Sequence, residues 1–202
     1  GHPAIMEAPL EAVLRGTFDL EGAKVKFIAS LARRAEARAE RAAAQPMLKK
    51  WSALWDEGRK DEAIPVIAEF VERWPRQGSD ASYKAIQYMI GEKQNAAGAK
   101  QFADHLIDGV YKDDAIGLYI VASAIIDPEI KTPEALLDTA RRAIERSIEI
   151  ETGSKRELFA TLARVQYLKG DASAAAASQQ IALGMAGNDI EAKQALEADL
   201  EK

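Results

Sequence analysis

The chain contains no cysteine. Disulfides, thiolate metal ligands and thiol nucleophiles are therefore excluded from its 202 residues. Histidine is almost as scarce. Only His2 and His105 are present, so a histidine metal site or a Ser/His/Asp triad has little to draw on. β-branched runs of period two are missing, which argues against strands. The longest nearly apolar stretch, Ala115 to Ile126, has 12 residues and falls short of the roughly 20 that a bilayer-spanning helix needs. No glycine-rich phosphate loop occurs, and no cofactor is implied. The start, Gly1-His2-Pro3-Ala4, lacks the basic and apolar regions of a secretory signal. This is the expectation for a cytosolic chain, or for one whose start is not the natural one.

What remains is 48% hydrophobic and 29% charged, enough for one globular unit or two small ones. With 27 Lys and Arg against 32 Asp and Glu the net charge is -5, so the protein as a whole is no obvious polyanion binder. Helix formers dominate throughout, and the expected class is all-α.

A short helix fits Pro9 to Arg15, with Leu10, Val13 and Leu14 as its apolar stripe and Gly16 as its stop. Asp19 then reads as the cap of a long connecting helix. Its stripe of Leu20, Ala23, Phe27, Ile28 and Leu31 thins into Ala-Arg-Glu sequence until Pro46 interrupts. From Met47 onward the pattern changes to helix pairs. Gly58 is followed five residues later by Ala63 and seven after that by Phe70; Gly91 by Ala96 and Ala103, and Gly170 by Ala175 and Ala182, keep the same spacings. Ala140 and Ser147 occupy the corresponding small positions of another second helix. Asp127-Pro128 replaces its turn glycine, and Thr132-Pro133 reads as cap and first-turn proline. Ser154-Lys155-Arg156-Glu157 reads as a capping box before a helix over 158–169. Asp189 to Leu200 reads as a terminal helix sealing the stack.

Glycine reverses the chain after each first helix, and small residues on the second let neighbours approach closely. The run Gly58-Arg59-Lys60-Asp61-Glu62-Ala63-Ile64 through Trp74-Pro75, together with Leu162-Ala163 through Gly170-Asp171 and Ala175, resembles parts of a tetratricopeptide repeat. The resemblance covers roughly residues 47–187. Trp51 and Lys84, seven before their glycines, depart from it by standing where a small residue is usual. It implies a tetratricopeptide-like α-α superhelix of about four helix pairs, preceded by the short helix and the long connecting helix. A concave binding face and no intrinsic catalysis go with that fold.

A second resemblance concerns the start. Gly1-His2-Pro3, then Pro9-Leu10-Glu11-Ala12-Val13-Leu14-Arg15-Gly16-Thr17-Phe18-Asp19, is similar to the junction at which TlpA-like thioredoxin-fold proteins enter a helical C-terminal extension. Ile126-Asp127-Pro128-Glu129-Ile130-Lys131 and Leu168-Lys169-Gly170-Asp171 resemble such extensions further on. The organisation implied is 1–18 as the end of a thioredoxin-like domain, 19–46 as the connecting helix, and 47–202 as the repeat domain. The parent would be a thiol-disulfide oxidoreductase, its C-x-x-C pair upstream of Gly1, and the resemblance implies an extracytoplasmic (periplasmic) location.

Trp55, Tyr88 and Tyr167 each sit three residues before a turn glycine, near the concave face that the repeat resemblance implies, where rigid aromatics anchor a protein or peptide partner. Core packing is the competing reading. Ser52 and Arg164 are their inner-face neighbours; with Ala85 they do not reproduce a carboxylate clamp. Between Lys24 and Lys50 eight basic residues face two acidic ones, a net +6. The alternative function is thus a free-standing scaffold whose basic helix binds an anionic partner, nucleic acid or a lipid surface. Nucleic acid is the weaker case, since no recognition motif accompanies the charge. The same helix offers a face for a homodimer. His105 and Asp108 form an i, i+3 pair, too few ligands for a metal, and Asp61-Glu62 and Asp113-Asp114 fit helix N-termini.

Overall fold

A computed structural model of the protein describes residues 19–186. Among these there are eight α-helices and no strand, so the fold is all-α. They are α1 Leu20–Asp56, α2 Lys60–Arg73, α3 Ser79–Gln87, α4 Ala96–His105, α5 Ala115–Ile125, α6 Glu134–Ile150, α7 Arg156–Leu168 and α8 Ala172–Ala186. The chain divides into two units, Gly1–Gln45 and Pro46–Lys202. The expected helices over Pro9–Arg15 and Asp189–Leu200 lie outside the described residues.

In the first unit, Asp19 caps α1 as expected, its Oδ1 accepting from the Gly22 amide at 2.8 Å. The expected stop at Pro46 does not occur: α1 continues through it. Proline removes one amide donor and leaves the carbonyl four residues back without that bond. Here both Ala42 and Pro46 are exposed, so water can take the vacated acceptor, and the helix formers on either side carry the turn through.

In the second unit α5 packs antiparallel on α6, and α7 on α8. Gly58 and Gly170 reverse the chain at φ +76° and +84°, a region that an L side chain enters only with strain. Beyond Gly170, the Ser178 hydroxyl donates to Gln166 Oε1 at 2.8 Å, while Phe159 packs on Ala182 and Ala186. The start of α7 thus meets the end of α8. In the same way the Ser147 hydroxyl, near the end of α6, donates to the Ala115 carbonyl at the start of α5 at 2.8 Å. The small residues carry the close approach: Ala63, Ala103, Ala140, Ser147 and Ala182 are all fully buried. Around them Ile67, Phe70, Ile86, Leu106, Tyr111, Leu118, Leu136 and Ile144 form the core, each side chain contributing about 1.5–3 kcal/mol by leaving water.

Three local expectations are corrected. Gly91 does not reverse the chain; it lies in a wide turn, Tyr88–Glu92, closed by the Lys93 amide on the Tyr88 carbonyl, and the left-handed residue is Gln94 at φ +50°. Thr132 does not cap α6. Its hydroxyl donates back to the Ile125 carbonyl at 2.9 Å, and Pro133 holds the N-cap position in an extended conformation. The capping box at Ser154–Glu157 does not form either: Lys155 is the N-cap but its ammonium donates to the Ile148 carbonyl instead of capping the helix, and Glu157 accepts from its neighbour Arg156. In contrast, Asp114 caps α5, accepting from the Ile116 and Gly117 amides at 3.0 and 3.2 Å.

Candidate functional site

Trp55 ends α1 just before the Gly58 turn, and Tyr88 follows α3 just before Gly91. The two rings meet edge to face, with centroids 5.7 Å apart. This geometry sets the positive edge of one ring on the negative face of the other. The Lys60 ammonium lies 5.4 Å from each ring centroid and pairs with Glu92. Lys93 sits 5.9 Å from the Tyr88 ring and 2.5 Å from Asp61 Oδ2. The Tyr88 hydroxyl donates to Asp61 Oδ1 at 2.9 Å, closing the cluster.

These contacts displace the titrations in consistent directions. The Lys93 ammonium, and after it the Tyr88 hydroxyl, hold the Asp61 carboxyl below its ordinary range. Lys93 is raised by the same carboxylate, and Tyr88 is raised by desolvation first and by Asp61 second. The cluster thus presents two half-buried aromatic faces framed by two lysine–carboxylate pairs.

Two of the expected site residues are thus brought together, and three are not part of that cluster. Ser52 turns its hydroxyl onto the Lys49 carbonyl, one turn back in its own helix, at 3.2 Å. Arg164 donates from Nε to the Ile126 carbonyl at 3.1 Å, tying α7 to the end of α5. Tyr167, on the next turn of α7, is 64% exposed. Lys60 and Lys93 were not among the expected residues. A register signal marks them all the same, since each stands two residues after a turn glycine, as Trp55 and Tyr88 each stand three before one.

Compared with known proteins, the chain matches no family model, no curated protein and no solved structure.

Several polar groups outside the cluster pair across helices. His105 pairs with Glu72, while Asp104 and Asp108 both turn to Arg142, at 2.7 and 3.5 Å. The expected His105–Asp108 pair is therefore divided between two partners. Among the described residues no group of three or more acidic, histidine or cysteine side chains could hold a metal. A cleft of about 510 Å³ opens between the starts of α3 and α5 and the end of α6, lined by Arg76, Asp113, Ile116 and Glu151 among others. Asp114, also on its wall, is engaged as the α5 cap. Among the described residues no helix is long and apolar enough to cross a membrane.

Proposed function

We propose that the chain is a non-catalytic helical module that binds a protein or peptide partner through the surface around Trp55 and Tyr88. The observation that carries this reading is the edge-to-face aromatic pair, half-buried and framed by Lys60, Lys93, Asp61 and Glu92. Aromatic anchors fixed by their neighbours lose little conformational entropy on binding, which is why such residues dominate interface energetics. The recurring glycine and small-residue spacing supports a tetratricopeptide-like superhelix as the scaffold, with this pair on its concave side. The N-terminal stretch from Pro9 to Asp19 supports a place after a TlpA-like thioredoxin domain, where the module would dock that enzyme's substrates or partners.

Selection of peptides from a displayed library on the purified chain tests the reading. Selected peptides are expected to lose binding to a Trp55→Ala, Tyr88→Ala variant that retains its helical circular dichroism. Peptides that bind wild type and variant alike would move the site elsewhere. The oxidoreductase link has its own test: the intact mass of the native protein before and after thiol alkylation.

A further inference from the structure

The first unit carries an exposed face of a different kind. At about 100° per residue, Leu20, Phe27, Leu31, Arg34, Arg38 and Arg41 fall within an arc of roughly 80° on α1. The first three are 58%, 60% and 46% exposed, and they stand together on one face rather than scattered singly. The three arginines are exposed, and among the described residues none has an ion-pair or hydrogen-bond partner. Glu21, Glu36 and Glu40 all project more than about 100° away from the centre of that arc. One straight face therefore begins apolar, ends cationic, and extends about 33 Å.

That order of residues selects its occupant. A second copy laid parallel would set arginine on arginine, and laid antiparallel would set arginine on leucine and phenylalanine. Nucleic acid would meet the arginines and leave the apolar turns in water. An anionic bilayer surface satisfies both halves together: the apolar turns enter the acyl boundary, and the guanidinium groups take phosphate oxygens bidentately in the headgroup layer. We propose that residues 20–41 of α1 lie along an anionic lipid surface, anchored by Phe27 and Leu31 and steered by Arg34, Arg38 and Arg41.

Flotation of the full chain with phosphatidylcholine vesicles, with and without phosphatidylglycerol, tests this. Binding is expected only to the anionic vesicles, with the bound fraction falling as salt rises. Phe27→Ser with Leu31→Ser is expected to lower partitioning by more than about tenfold, and reversal of the three arginines to Glu by at least as much. Both sets of changes lie on an exposed face, and unchanged circular dichroism would verify that the fold persists. The proposal is overturned by absence of binding to anionic vesicles at low salt, or by binding that survives Phe27→Ser and Leu31→Ser. Sedimentation as a dimer that these variants dissociate would overturn it as well, by showing that a second copy covers the face. So would retention of duplex DNA without vesicle binding.

Discussion

The Lys84 ammonium lies over the indole of Trp51, 5.6 Å from the ring centroid. Both residues stand seven before a glycine, Gly58 and Gly91, and the two meet in space. Trp51 also tilts against Phe70, with centroids 6.4 Å apart, and is only 4% exposed, yet its Nε1 has no hydrogen-bond partner. A large ring and a long aliphatic stem thus fill a volume that two small residues would leave empty.

Truncation there is expected to be expensive. Trp51→Ala should cost about 3–5 kcal/mol in urea unfolding, as other buried ring deletions do. Trp51→Phe should fall within about 1 kcal/mol of wild type, because losing the unpaired indole donor offsets part of the lost area. Equal losses for the two variants would show that the Nε1 donor is satisfied after all.

Gly117 faces the buried Tyr111. A Cβ added at 117 would overlap the ring of Tyr111, which is fully buried and reaches Ser82 through its hydroxyl at 3.0 Å. Gly117→Ala is expected to destabilise the second unit by about 1–3 kcal/mol, the usual penalty for overpacking. Thermal unfolding would register it, and an unchanged midpoint would mean the Tyr111 ring can move aside.

At Gly170 the penalty has a different origin. Nothing lies within 4 Å of a Cβ built there, yet its φ is +84°. Gly170→Ala should therefore cost about 1–2 kcal/mol from backbone strain alone, and Gly170→Asn less, since asparagine tolerates the left-handed region. A larger loss for Asn than for Ala would contradict this account.

The acid limb of stability should carry a small contribution from Asp61. Its folded-state pKa is depressed, so the stabilisation is present above the unfolded aspartate value and is lost as pH falls through the folded one. Nuclear magnetic resonance titration of the Asp61 carboxyl is expected to give a value below that of a free aspartate. Lys93→Gln should raise it, and no movement would show that Lys93 is not the cause.

Where one residue alone decides the backbone, the sequence was readable: Gly58 and Gly170 need their left-handed turns, and Asp19 and Asp114 sit one residue before a helix. Where several conformations compete, it was not. Gly91 and Gln94 are three apart in one loop, and the wide turn over 88–92 moved the reversal to a residue with no special propensity. Ser154 and Thr132 are good caps in isolation, but Thr132 found a carbonyl at the end of α5, seven residues back, and Lys155 took the cap position beside Ser154. The aromatic half of the candidate site was legible from register. Its charged half was obscured because a lysine after a turn ordinarily means only a solvated surface.

Pro46 has a consequence in time. The hydrogen-bond ladder is the means by which one turn of a helix shields the next, and nucleating a fresh turn is costly. One missing rung at residue 46 therefore gives α1 two exchange clocks. Amides such as those of Val25 and Arg34, in exposed turns, should trade hydrogen for deuterium at the pace of local fraying. That of Trp51, buried in the core beyond the proline, should wait for the second unit to open as a whole.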